Sequence, residues 1–253
     1  MDMFDLSGRV VVVTGGNGGI GLGMGRALAT AGASISVWGR NPTKNEAAVA
    51  ELRDIGARAE SLVVDVADET SVDDAMSATI GSFGRIDSMI ANAGVSGGGP
   101  FLDQTIEQWR SVVAVNLDGV FLSFRAAARQ LVDQGEGGSL VAVSSTSAIH
   151  GPAANQAYGS SKAGVLSLVR GLAVELARHQ IRVNSLMPGW TETELTGPLL
   201  SWEKFMENTT KRTPVRRWGV PDDFGAAAVY LVEPSLMFHT GDCLVIDGGY
   251  TIF

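Results

Sequence analysis

The stretch "RVVVVTGGNGGIG", Arg9 to Gly21, decides the fold. Its valine run reads as a short strand covered on both faces, because β-branched side chains suit the pleated backbone and no polar residue interrupts them. The run breaks into "TGGNGGIG", Thr14 to Gly21, and a helical pattern begins at once over 19–31. Glycines in such a loop let the backbone turn tightly and approach a pyrophosphate, which exposed N–H groups and the positive end of the helix dipole then hold. With a strand before it and a helix after it, the loop reads as a dinucleotide site rather than a merely structural turn.

The same alternation continues along the chain. Strands are expected at 9–15, 33–39, 60–66, 86–92, 138–144, 181–187 and 243–249, and helices at 19–31, 43–55, 70–83, 103–134, 157–179 and 221–233. Strands alternating with helices imply an α/β fold, a Rossmann-type doubly wound parallel sheet of about seven strands in a single domain spanning 1–253. Ligands of such sheets bind beyond the carboxyl ends of the strands, so the residues after each run are the candidate site.

Composition narrows the function. The chain has 253 residues, 45% apolar and 18% charged, enough to bury a large core. A net charge of -8 argues against a nucleic-acid or anionic-membrane partner. The acidic N-terminus "MDMFDLSGR" does not read as a signal peptide, and a cytoplasmic protein is expected. A single cysteine, Cys243, allows no intramolecular disulfide, and no Cys/His cluster has metal-ligand spacing.

About 20 residues past the glycine loop, where an acid would bind the 2′-hydroxyl of NAD, stand Gly39 and Arg40. Glycine leaves room for a 2′-phosphate and arginine can grip it with its planar fork, so NADP(H) is favoured, with NAD(H) the alternative. Further along, "YGSSK" places Tyr158 and Lys162 four residues apart, one helical turn on one face. Tyrosine titrates near pH 10, and a neighbouring ammonium would lower that value toward acid–base use at neutral pH.

Taken together these residues resemble the short-chain dehydrogenase/reductase family over about Leu6 to Gly249. The glycine loop has the family's TGxxxGxG form in Thr14, Gly15, Gly19 and Gly21; "NAG" spans Asn92 to Gly94; Asn116 lies in "VNLDGVF"; Ser145 stands thirteen residues before Tyr158; and Pro188–Gly189 is followed by Thr193. The resemblance implies an NAD(P)-dependent oxidoreductase interconverting a secondary alcohol and a ketone. It assigns Tyr158 the proton transfer, Ser145 the hold on the reacting oxygen, Lys162 the tuning of Tyr158 and the ribose hydroxyls, and Asn116 a proton-relay water. By the same resemblance the cofactor meets Gly15, Asn17, Gly19, Ile20, Gly21, Arg40, Asp65, Val66, Asn92, Ala93, Gly94, Tyr158, Lys162, Pro188, Gly189, Thr191 and Thr193. Thr191 departs from the aliphatic residue usual in the family. A homotetramer is also implied.

The segment 190–218, with Trp190, Trp202, Phe205 and Trp218, reads as a lid over the substrate, or as aromatics that simply pack it down. Ser147, His150 and Trp190 are candidate substrate contacts, though His150, before Gly151 and Pro152, reads first as a solvated turn residue. Lys211, Arg212, Arg216 and Arg217 read as a solvated or ion-paired face that an acidic substrate could also use. Local similarities in "GLGMG", "DQGEGGS" and "PVRRWGVPDD" resemble gluconate and deoxygluconate dehydrogenases, suggesting a sugar acid, a polyol or another small carbonyl compound. A nucleotide-sensing regulator without turnover is the alternative class, and the joint presence of Asn116, Ser145, Tyr158 and Lys162 speaks against it.

Overall fold

The computed structural model describes residues 4–253. Strands β1 (Val10–Thr14), β2 (Ser34–Gly39), β3 (Ala59–Val63), β4 (Ser88–Ala91), β5 (Gly138–Val143), β6 (Ile181–Pro188) and β7 (Cys243–Ile246) form one parallel sheet in the order β3-β2-β1-β4-β5-β6-β7. The chain steps outward from β1 to β3, then returns to lay β4 on the other side of β1. The strand order reverses between β1 and β4, which opens the crevice where such sheets bind ligands.

The valine run explains itself in the sheet. Successive strand residues face opposite sides, so Val10 and Val12 enter one core and Val11 and Val13 the other. Helices α1 (Gly19–Thr30) and α2 (Pro42–Asp54) cover the second face, and α3 (Glu69–Phe83) lies on the first. Asn41 caps α2 by accepting from the Lys44 N–H, and Asp68 caps α3. No side chain caps the start of α1.

The helix expected at 103–134 is broken. A turn at Phe101–Asp103 precedes α4 (Ile106–Val113); a π-helical segment follows at Ala114–Asp118, and α5 (Gly119–Gln134) completes it. Its Val112, Val120, Phe124, Ala127 and Leu131 are buried in the core. Helix α6 (Gln156–Leu176) continues into a 3-10 turn to His179, as the pattern 157–179 predicts. The 190–218 segment holds α7 (Gly197–Leu200) and α8 (Glu203–Arg212), and α9 (Gly225–Val232) returns to the sheet. β3 ends at Val63 instead of 66, so Asp65 and Val66 lie in the loop beyond the strand.

Candidate active site

The glycine loop is built for close approach. Gly15 has φ +62° and Gly19 φ +49°, conformations that favour glycine. A methyl group on Gly21 would lie 2.3 Å from the Gly15 carbonyl oxygen and 2.5 Å from Asn92 Nδ2, whereas one on Gly18 would meet nothing within 4 Å. The loop is therefore tight against the protein at Gly21 and open at Gly18. With no side-chain cap on α1, its first N–H groups are left for an external anion, and the loop fits a dinucleotide pyrophosphate.

Asn92, just past β4, ties this loop across the crevice. Its Nδ2 donates to the carbonyls of Thr14 at 3.0 Å and Gly15 at 3.1 Å, while the Thr14 hydroxyl accepts the N–H groups of Asn92 and Ala93 at 3.0 Å each. A methyl on Gly94 would sit 3.4 Å from both Asn116 Oδ1 and Lys162 Nζ, so this turn runs directly past the catalytic candidates. Asp65 caps its own loop by accepting from Ala67 N–H, and Val66 packs on Gly119. Arg40 is exposed at the end of β2.

Ser145 and Tyr158 meet. The Ser145 oxygen accepts the Ser147 N–H at 3.1 Å, which leaves its O–H free, and that hydroxyl is close enough to the Tyr158 phenol to lower its pKa. The neighbouring Ser144 is committed elsewhere, donating at 2.9 Å to the Lys162 carbonyl in the buried contact between β5 and α6. Spacing alone separates these serines in the sequence; their partners separate them in the fold.

Lys162 is 3% exposed, and its Nζ donates to the Val143 carbonyl at 2.8 Å. Burial lowers its pKa to about 8. Burial also raises the Tyr158 pKa, with the Ser145 bond opposing it. The expected lowering of Tyr158 by Lys162 is thus not the net result here: with Nζ 5.8 Å from the phenol ring centroid, desolvation is the larger effect.

Asn116 sits in the π-helical segment, where the altered winding turns its side chain inward. Oδ1 accepts the Val95 N–H at 2.8 Å, and Nδ2 donates to the Val95 carbonyl at 2.9 Å and to Ser161 Oγ at 3.3 Å. Ser161 in turn donates to the Tyr158 carbonyl. The amide thereby joins the Asn92 turn to α6; its polar atoms are held by protein groups, so a relay water would meet the main chain there.

Beyond β6, a methyl on Gly189 would strike Asp247 Cα at 2.7 Å. Thr191, the departure from the family pattern, is buried and donates its hydroxyl to the Gly189 carbonyl at 3.0 Å, so the polar group is satisfied. Thr193 reaches over the crevice to within 3.3 Å of a methyl position on Gly19, bringing the two cofactor loops together. Trp190 stacks on Trp218 and meets Phe205 edge-on, and Trp218 Nε1 donates to Thr209 Oγ1. Those aromatics pack the segment down, while Trp202 stays exposed. In the basic run, Lys211 pairs with Glu207 and Arg217 with Asp223, and Arg212 lies 4.3 Å over the Tyr250 ring.

His150 is not the solvated turn residue its neighbours suggest. Its ring abuts Tyr250 at 5.8 Å, Trp190 abuts the same ring at 6.4 Å, and both His150 Nε2 and Trp190 Nε1 are buried without a hydrogen-bond partner. Sequence reading missed Tyr250, whose loop is folded back by Asp247 accepting the N–H groups of Gly249 and Thr251.

Comparison with known proteins fits this geometry. A family model described as enoyl-(acyl carrier protein) reductase matches residues 15–251. L-rhamnose 1-dehydrogenase (NAD(P)(+)) of Sphingomonas sp. (strain SKA58) is 37% identical over 96% of this chain and 96% of its own length. The chain belongs to the short-chain dehydrogenase/reductase family. Within that family, 5-keto-D-gluconate 5-reductase of Escherichia coli (strain K12) is 34% identical, covering 99% of this chain and 98% of its own. The structure of a gluconate 5-dehydrogenase from Burkholderia cenocepacia J2315 in complex with NADP and tartrate superposes with a TM-score of 0.95 at 35% identity, covering 100% of this chain and 98% of that one. As a short-chain dehydrogenase/reductase, the protein is an oxidoreductase acting between CH–OH and C=O with a nicotinamide cofactor.

Proposed function

We propose that the protein is an NADP(H)-dependent oxidoreductase that interconverts a secondary alcohol and a ketone on a small polyhydroxylated substrate, a sugar, sugar acid or polyol. The observation that carries this reading is the Ser145–Tyr158 contact beside buried Lys162 at the crevice. The nicotinamide, when bound, accepts or supplies the hydride. Tyr158, kept protonated by its burial, gives its proton to the carbonyl oxygen during reduction and takes it back during oxidation. Ser145, its oxygen anchored on the Ser147 N–H, aims its hydroxyl at that same oxygen and stabilises the charge that develops there. Lys162 holds a cation near the phenol as the proton leaves, and Asn116 keeps α6 in register with the Asn92 turn.

Arg40 supports NADP(H), since it is exposed at the end of β2 with no carboxylate at position 39. For the substrate, His150 Nε2 and Trp190 Nε1 support a hydroxyl-rich compound, because buried unpartnered nitrogens call for polar atoms from a ligand or solvent. Segment 190–218 would serve as its lid. The relatives named above, an L-rhamnose 1-dehydrogenase and a 5-keto-D-gluconate 5-reductase, support the same substrate class.

The test follows absorbance at 340 nm with NADPH and NADH across aldose, sugar-acid, polyol and simple-ketone panels. Tyr158→Phe is expected to lower turnover by about 10²–10⁴-fold while nucleotide affinity stays within twofold, the range for losing a positioned proton donor. Undiminished turnover in that variant would refute the assignment of Tyr158.

A further inference from the structure

Asn45 lies in the first turns of α2, outside the glycine loop, and is 1% exposed. Its Nδ2 donates to the carbonyls of Gly39 at 2.8 Å and Leu62 at 3.0 Å, pinning the ends of β2 and β3. Its Oδ1 accepts a 2.6 Å bond from Asn17 Nδ2, which reaches across from the glycine loop. The two amides fill the space beside Gly39: a methyl group there would lie 2.3 Å from Asn17 Nδ2 and 2.5 Å from Asn45 Oδ1. Gly39 does not have a left-handed backbone, so its lack of a side chain answers to space alone.

We propose that Asn45 is a positioning residue for cofactor choice: by holding Asn17 against Gly39, it closes the place where an NAD-reading carboxylate would stand and leaves the adenosine 2′ position to Arg40. The inference rests on the NADP(H) reading above. A carboxylate at the end of the second strand is the usual partner of the NAD ribose. Here it would have to displace the Asn17 amide and would still strike Asn45 Oδ1. Asn45 cannot give way instead, because both of its donor bonds go to main-chain carbonyls at strand ends. The glycine at 39 is thus the consequence of a side-chain lock as well as room for a phosphate, and the lock is set by a residue on the following helix.

The experiment uses the full chain and titrates NADPH and NADH separately by fluorescence, with thermal melts in the absence of nucleotide. Gly39→Asp is expected to weaken NADPH at least tenfold, to gain nothing for NADH, and to melt lower than the wild type. Removing both obstructing amides in Asn17→Gly/Asn45→Ala/Gly39→Asp is expected to bind NADH at least tenfold more tightly than Gly39→Asp does. Asn45→Ala is expected to shift the NADPH-to-NADH affinity ratio at least threefold toward NADH, a ratio that general destabilisation would leave alone. If Asn45→Ala does not fold, Asn17→Ala in the glycine loop carries the same ratio test. Gly39→Asp gaining NADH tenfold by itself, or Asn45→Ala weakening both nucleotides equally, overturns the proposal. Equal affinity of the wild type for both nucleotides would sink the NADP(H) reading instead, and the lock would still stand if the triple variant outbinds Gly39→Asp for NADH tenfold.

Discussion

The two walls of the crevice are held by different physics. On the glycine-loop side, side-chain amides and hydroxyls bond main-chain groups: Asn92 to Thr14 and Gly15, Asn116 to Val95, Asn45 to Gly39 and Leu62. On the lid side, rings stack on rings and surface charges pair, as in Trp190 on Trp218 and Lys211 with Glu207. Directional bonds to backbone fix atoms to a few tenths of an ångström, whereas stacked aromatics and solvated ion pairs tolerate substitution. On the proposed function, the wall that fits an unchanging cofactor is rigid, and the wall that would meet the substrate is made of replaceable parts.

The sharpest way to break this contrast is to put the same methyl group on both walls. Gly21→Ala drives a carbon into the Gly15 carbonyl and the Asn92 amide, and is expected to lower stability by about 3 kcal/mol, the upper end of overpacking, and to abolish nucleotide binding in titrations. A melt unchanged from wild type would show that the loop has slack.

Lys162→Met comes next, because it removes a charge that burial disfavours. The folded-state pKa is lowered from 10.5 to about 8, so the unfolded chain holds the extra proton between those values and stability rises with pH through that window. Below pH 8 the burial penalty is present in full. Lys162→Met should therefore be more stable than wild type at pH 7 by roughly 2 kcal/mol, after discounting the lost bond to Val143, with the advantage fading toward pH 10.5. Melting temperatures at both pH values check the sign, and activity should be lost throughout.

On the lid side, Trp190→Phe keeps the stack but deletes the unpartnered indole N–H. It is expected to raise KM for a polyhydroxylated substrate by up to about tenfold, one hydrogen bond's worth, with nucleotide affinity unchanged in the same titrations. The smallest effect is the control for the first: Gly197→Ala opens α7 where the added methyl meets nothing within 4 Å. A melt raised by no more than about 0.5–1 kcal/mol equivalent is expected, from helix propensity alone.

How legible each wall was follows from the same difference. The strands could be read because buried parallel strands must be apolar on both faces, and Gly15, Gly19 and Gly21 because no other residue allows that turn. The role of Ser145 needed the fold, since only its partners set it apart from Ser144. Asn45 was invisible: a polar residue in a mostly polar helix reads as solvated until the strand ends are placed around it. The π-helical winding at Asn116 left no trace in a helical pattern, because it arises where two helical segments meet packed neighbours. Tyr250 lies far along the chain from His150, and no local period could bring them together.

The 190–218 segment also closes on itself at its base. Thr191 bridges Gly219 in a short parallel pairing, with Gly219 N–H donating to the Trp190 carbonyl at 2.8 Å and Glu192 N–H to the Gly219 carbonyl at 2.9 Å. The ends of the segment are thus already joined before anything between them is specified. For protein engineering this marks natural splice points: a segment from another enzyme, cut to begin after Thr191 and end before Gly219, would inherit its closure from the host and bring its own selectivity as a cassette.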